Sequence, residues 1–311
     1  MLLRPAVSVH ASNLDHGPDS LTAHVGHTPL VALKTDTVDV RLYGKAEWFN
    51  PSGSVKDRSV SSILKTAEAG GLLSGKTILD STSGNAGIAY AMMGSCLGHR
   101  VTLTIPRNVN EERKRVLRAY GIELIFTDPL EGSDGAMRKA RELYAEKPDE
   151  YFYADQYSNE ANWRGHYETT GVEIWEQTHG AVTHLVAGVG TGGTIMGTGR
   201  RLKQFNPQIK IIAVQPDSPF HGLEGLKHLE TSMTPKIYDP NFPDQTVKVA
   251  TDIAQRIVRK LAREGILIGP SSGAAIAASA TIADEIDAGT IVTILPDGGE
   301  RYLTERFWEE S

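Results

Sequence analysis

Two short stretches of this 311-residue chain hold residue types that can do covalent chemistry. In NPSGSVKDR, residues 50–58, Lys56 follows a run of turn-forming and hydroxyl residues and opens an apolar, helix-like segment, VSSILKTAEAG. A lysine amine attacks carbonyl carbon when its surroundings favour the neutral form. By itself, a lysine in the first turn of a helix is ordinary solvated surface. In GVGTGGT, residues 188–194, Gly188, Gly190 and Gly193 satisfy the dinucleotide pattern GxGxxG between a strand-like run and a helix-like run. The next strand-like run ends in Gln215 and Pro216, where a dinucleotide site needs an acidic residue for a ribose hydroxyl. What survives is physically general: glycines whose backbone N–H groups can approach an anion, the Thr191 and Thr194 hydroxyls, and a helix N-terminus with partial positive charge.

An amine and a phosphate cup are what a phosphorylated aldehyde needs, so pyridoxal 5'-phosphate is the economical ligand for the pair. A second pattern competes for phosphate: GGLLSGKT (Gly70, Gly75, Lys76, Thr77) satisfies the P-loop expression. A P-loop must follow a strand and open a helix. This one closes a helix-like run and precedes a strand-like one, which reads as a helix C-cap and turn. The formal net charge of −6 offers no basic excess for a nucleic-acid backbone. Cys96 is the only cysteine, so no internal disulfide forms, and no paired Cys/His spacing suggests a metal. A reducing, cytoplasmic setting fits. No run approaches the roughly 18 apolar residues of a membrane span, and the opening residues lack the apolar core of a signal peptide.

The elements that must position these groups alternate along the chain. From about residue 39, short β-branched runs (VRLYGKAEW, TILD, VTLTIP, IELIF) are interleaved with amphipathic ones (VSSILKTAEAG, GIAYAMMGSCLG, EERKRVLRAY). The rhythm resumes with THLVAGV, GTIMGTGRRLKQF, IKIIAVQP, TDIAQRIVRKLAREG, ILIG, AAIAASATIADEI and TIVTILP. This is the pattern of βαβ units, and it predicts an α/β protein of two lobes, each a mostly parallel twisted sheet flanked by helices. The turn- and aromatic-rich stretch AEKPDEYFYADQYSNEANWRG puts the lobe boundary near residue 154, giving lobes of 1–154 and 155–311, with the initial segment free to cross to the other lobe. A second irregular patch, PDSPFHGLEGLKHLETSMTPKIYDPNFPD, is longer than a simple connection needs.

Five ordered motifs, NPSGSVKDR, STSGNAGIA, GVGTGGT, GPSSGAA and PDGGERYL, resemble those of the cysteine synthases of the fold-type II (tryptophan synthase β-like) pyridoxal-phosphate family, the group that also holds cystathionine β-synthase. The resemblance runs from GHTPLV, residues 26–31, onwards. It implies that Lys56 is the Schiff-base lysine and that Asn85 donates a hydrogen bond to the cofactor's phenolic oxygen. Gly190, Thr191, Gly192, Gly193 and Thr194 would hold its phosphate, and Ser271 would face the pyridine nitrogen. Thr82, Ser83, Gly84 and Asn85 would grip the substrate carboxylate, with Gln156 reaching in from the other side. The implied reaction is β-replacement: an activated serine (O-acetylserine or O-phosphoserine) loses its β-substituent to give an α-aminoacrylate, sulfide adds, and L-cysteine leaves. A serine at the ring nitrogen, rather than an aspartate, makes a weaker electron sink and favours β-elimination over transamination.

The family's substrate loop commonly reads TSGNTG, and here Ala86 removes a hydroxyl. Lys227, in GLEGLKHL, falls roughly where phosphoserine-using relatives place a basic residue. His221 and His228 beside it read as ordinary polar loop residues, and Cys96 as a small buried thiol. Serine/threonine dehydratases share the fold, but their phosphate loop resembles GGGGL, against GTGGT here. The alternatives are a cystathionine β-synthase using serine and homocysteine, and an inactive cofactor-binding scaffold, against which the intact Lys56 speaks. The family implies a homodimer and leaves room for a serine acetyltransferase or a sulfur-carrier protein as partner.

Overall fold

The computed structural model describes residues 20–309. Its strands are β1 (Leu30–Leu33), β2 (Val40–Ala46), β3 (Thr77–Ser81), β4 (Val101–Pro106), β5 (Glu123–Thr127), β6 (Tyr151–Tyr153), β7 (His184–Gly188), β8 (Lys210–Pro216), β9 (Gln245–Val249) and β10 (Gly289–Leu295). The helices are α1 (Lys56–Ala69), α2 (Asn85–Cys96), α3 (Glu111–Ala119), α4 (Gly132–Glu146), α5 (Glu160–Glu168), α6 (Thr170–Gln177), α7 (Gly193–Phe205), α8 (Thr251–Arg263) and α9 (Pro270–Glu285). The strands form a six-stranded sheet in the order β1-β2-β10-β7-β8-β9 and a four-stranded one in the order β5-β4-β3-β6. Every pairing is parallel except that of β1 with β2. This is the two-sheet α/β architecture that the alternation predicts.

Residue chemistry explains the layers. β4, VTLTIP, is buried at every position, as a parallel strand covered on both faces must be. On β7, Leu185 and Ala187 enter one core and Val186 the other, because successive side chains leave opposite faces of a strand. Helix α2 is apolar all round and buries Ala86 through Gly94 between the small sheet and its neighbours, so it behaves as a core helix rather than a surface one.

Four local expectations change. VRLYGKAEW does not open the small sheet: β2 lies parallel to β10 in the large one, carrying the early chain across to the other lobe. The stretch read as irregular holds β6 and the start of α5, its aromatic content having masked an ordinary helical periodicity. β9 went unread because it is an edge strand with only Val249 fully buried, leaving no hydrophobic alternation to see. ILIG is not a strand and makes only an isolated bridge between Ile268 and Gly298. No regular element spans residues 217–244.

Two buried charge clusters fix the loops that matter. The Arg58 guanidinium is held by Glu47 through Nε and Nη2 at 2.6 and 2.8 Å, and by Glu173 of α6 through Nη1 and Nη2 at 2.6 and 2.8 Å. Lys45, at the end of β2, sits 2.6 Å from Glu173 and donates to the Thr28 carbonyl and to Gln177. All four side chains are buried, so α1, β2 and α6 are joined by charges that cannot exchange their partners for water. In the second cluster, Asp80 at the end of β3 accepts from the Ser81 and Gln156 amides at 2.8 and 3.3 Å, while Gln156 Nε2 donates back to the Ser81 carbonyl at 2.8 Å. Burial, reinforced by nearby Asp155, pushes the Asp80 carboxyl up from 3.8 to about 7.

Replacing Arg58 by Met leaves the buried Glu47 without its cation and Glu173 with Lys45 alone, and we expect a loss of about 3–5 kcal/mol in urea unfolding. The Asp80 shift has the opposite pH sign from an ordinary salt bridge. A carboxyl whose folded pKa is raised contributes stability at low pH that is lost as pH rises through the folded value. Thermal unfolding followed between pH 4 and 7 should therefore show a declining component that Asp80→Asn removes, the window being bounded by 3.8 and about 7. Asp57, raised to about 6, contributes with the same sign and leaves a smaller residual slope in the variant.

Candidate active site

The cleft lies at the carboxyl ends of both sheets, where the loops after β3, β7, β8 and β10 meet, as expected for open α/β sheets. Lys56 is the first residue of α1. The turn before it is tied to the large sheet: Val55 N donates to the Pro296 carbonyl at 2.8 Å, and Ser54 bridges Asp297. Asp57 accepts from the Ser52 amide at 2.6 Å and from the Ser52 hydroxyl, closing the turn around Gly53. Gly53 has φ +83°, and Arg301 is packed against the face where a side chain would stand, so only glycine suits the position. Lys56 lines the cleft with Asn85, Gly190, Thr191 and Glu224. Burial lowers its pKa, with Asp297 pulling the other way. Among the described residues its amine has no hydrogen-bond or ion-pair partner.

Opposite Lys56, the turn from β7 into α7 presents bare backbone. Gly192 has φ +86°, and a Cβ there would stand 2.7 Å from Tyr238; one at Gly193 would strike Asn162, and one at Gly190 the Gly225 carbonyl. The Thr191 hydroxyl accepts from the Gly193 amide at 3.3 Å and from Asn162 Nδ2 at 3.2 Å, which stiffens the turn. Thr194 Oγ1 lies 3.3 Å from His166 Nε2, whose ring is pushed down to about 3 by burial and by Arg58 and is therefore neutral. A cradle that rejects side chains at the N-terminus of a 13-residue helix, with two hydroxyls at its rim, has the chemistry of a phosphate site. Ser271, buried at the start of α9, lines the same recess beside Pro296. The donor set fits a phosphorylated aldehyde: cup, ring recess and amine share one cleft.

The loop from β3 into α2 forms the opposite wall. Thr82 Oγ1 accepts from the Gly84 and Gly87 amides, both at 3.1 Å, so this hydroxyl caps α2. Ser83 and Gly84 line the open part of the cleft with Gln156. Asn85 is clamped on both ends of its amide, donating to Asp297 at 2.6 Å and accepting from Arg301 at 2.6 Å. Tyr302 donates to the same Asp297 oxygen at 2.6 Å. Lys227 also reaches the cleft, but its ammonium pairs with Asp134 at 3.0 Å and lies over the Tyr157 ring.

The structure thus brings Lys56, the 82–85 loop, Gln156, the 190–194 turn, Lys227 and Ser271 to one cleft. Sequence reasoning missed Arg113, Glu224, Asp297, Arg301 and Tyr302. The last three lie within PDGGERYL, a motif noted without a role. Glu224 lies three residues before Lys227 in the quoted loop, whereas Arg113, in a charged surface-like helix, gave no signal. Cys96 is half-buried at the end of α2, 3.9 Å from the Met92 sulfur, with its thiol pKa raised by burial.

Residues 21–297 match the family model described as pyridoxal-phosphate dependent enzyme. The chain is 52% identical over 297 residues to a cysteine synthase of Aquifex aeolicus, covering 92% of this chain and 91% of the relative. It is 41% identical to cysteine synthase B of Pseudomonas aeruginosa, covering 92% and 96%. The crystal structure of a cysteine synthase (OASS) from Entamoeba histolytica superposes with a TM-score of 0.89 at 35% identity, covering 99% of this chain and 95% of that one. The chain therefore belongs to the pyridoxal-phosphate dependent enzymes, within the group of the cysteine synthases.

Proposed function

We propose that this enzyme forms L-cysteine by β-replacement on an activated L-serine with sulfide as the nucleophile. The observation that carries the reading is the placement of the Lys56 amine, held low in pKa by burial, between a phosphate turn and a loop built to hold a carboxylate. When bound, pyridoxal phosphate supplies an electron sink for the pair left on the substrate's Cα when its proton departs. Lys56 is the amine that would hold the cofactor at rest, and, freed from it, the base that takes the Cα proton and later returns it. The 190–194 turn orients the phosphate end. Ser271 offers the ring nitrogen a hydroxyl rather than a carboxylate. Asn85, fixed by Asp297 and Arg301, has one rotamer in which to meet the ring's oxygen.

The substrate's carboxylate would lie on the 82–85 loop at the N-terminus of α2, with Gln156 behind it. The side chain leaving from Cβ would point towards Lys227. That ammonium already has Asp134 as its counter-charge at 3.0 Å, which leaves little net positive charge for a phosphate and favours the neutral ester of O-acetylserine over O-phosphoserine. This reading carries a homodimer in a cytoplasmic, reducing setting, in keeping with the unpaired Cys96.

Side-by-side turnover of O-acetylserine plus sulfide, O-phosphoserine plus sulfide, and serine plus homocysteine tests the reading. We expect cysteine from the first at the highest kcat/KM; cystathionine from the third as the main product would refute it. Lys56→Ala should cost about 10³-fold or more in kcat, and borohydride reduction of the holoenzyme should fix cofactor on wild-type Lys56 but not on the variant. Asp297 raises the Lys56 pKa, so Asp297→Asn should lower it. Activity lost on acidification, as the freed amine takes up a proton, should then persist to lower pH, seen as a shift of the acid limb of kcat against pH.

A further inference from the structure

An ion pair lies beside the cleft. Arg113, in the first turn of α3, donates through Nη1 to the Glu224 carboxylate, which comes from the irregular segment following β8. The pair joins the small lobe to the large one directly over the substrate loop. Arg113 Nη1 also lies 3.4 Å from the Ser83 carbonyl, and a Cβ on Gly84 would stand 2.9 Å from Glu224 Oε1. A carboxylate thus rests against the N-terminus of α2, at the loop where the α-carboxylate of an amino acid is expected to sit.

Arg113 is not placed there by the needs of its own helix. A cation in a helix's first turn opposes the macrodipole, and α3 already has Asn110 as its cap and Glu111 and Glu112 for that role. Arg113 is 6% exposed, its guanidinium packs over the Tyr302 ring, and its Nε–H is buried without an acceptor. A buried guanidinium with an orphan donor is costly unless another acceptor arrives. Glu224 is the more exposed partner, its side chain 33% accessible, on a segment anchored by Leu223 and Leu226. Of the two, the glutamate is free to move.

We propose that Arg113 is a recognition residue for the substrate carboxylate, and that Glu224 is an internal competitor which the incoming amino acid displaces. The arginine gives back the anion affinity that Ala86, lacking the family's usual hydroxyl, takes from the loop. Glu224 keeps the arginine paired while the cleft is empty. A site competent only when its internal carboxylate has left binds more weakly by the fraction of time that it is free.

The inference rests on the proposed reaction, and two measurements separate the two. The KM for O-acetylserine should fall about fivefold in Glu224→Gln, in proportion to the freed arginine. It should rise about tenfold or more in Arg113→Met, with partial recovery in Arg113→Lys. The KM for sulfide, which has no carboxylate, should follow neither change. Calorimetric titration of L-alanine, which has no β-leaving group, into wild type and the same variants reads the carboxylate site without β-elimination, and its dissociation constant should move in the same directions. A Glu224→Gln enzyme with unchanged or weaker affinity for both ligands overturns the proposal. So does an Arg113→Met enzyme that loses thermal stability alone. A wild type that binds L-alanine as expected yet makes no cysteine overturns the reaction and leaves the carboxylate site standing.

Discussion

The structure depends on a charge that cannot reach water. Arg58, two residues beyond Lys56 on the same helix, points to the opposite side of α1 because 200° of helical rotation separates the two. Its guanidinium is locked between Glu47, which follows a strand of the large sheet, and Glu173 of α6, with Lys45 balancing the second carboxylate. Because every group is buried, shifting one would strand another, and the loss would be far larger than for a surface pair. The helix that carries the reactive amine is thereby fastened from behind to the large lobe, although its other contacts are with α2 of the small lobe and with α5. Among the described residues the Lys56 amine has no hydrogen-bond or ion-pair partner, while the residue two positions away has two carboxylates.

The cleft repeats this economy on a smaller scale. Each group that would touch cofactor or substrate is oriented by one that does not. Asp297 and Arg301 fix Asn85, Asn162 fixes Thr191, His166 meets Thr194, and Asp80 holds the loop end and Gln156 together. Two of these supports, Asp80 and His166, are buried and strongly shifted from their usual pKa. Such shifts collect around this cleft because charges kept from water are what hold irregular loops in place where regular hydrogen-bond ladders end. Beside the cleft, Lys227 pairs with Asp134 and Arg113 with Glu224, so neither cation stands without a counter-charge.

Much of this was legible in the chain. The alternation of β-branched and amphipathic runs carried the α/β class, and the five ordered motifs carried the family, since both are local features of the chain. Other parts were not. β9 is an edge strand with one buried residue, and α5 and α6 hide among aromatics and turn formers. The crossing of β2 into the large sheet is a matter of pairing between residues some 250 positions apart, such as Leu42 with Ile291, which no local pattern records. Arg113 is the clearest case: in EERKRVLRA it is one basic residue among four, and nothing in the stretch distinguishes it and Lys114, which are buried, from the other two.

By itself, then, the sequence determined the residue types at the site, the periodicities of its elements and the glycines at which the backbone must come close to something. Those properties are short-ranged: a helix start, a left-handed turn and a hydrophobic run are each fixed by neighbouring residues. Tertiary structure alone decided which charges face one another, because burial and pairing depend on chain segments brought together from across the sequence. That is why the amine's partnerless state, the clamp on Asn85 and the glutamate resting on the substrate loop became visible only in the fold.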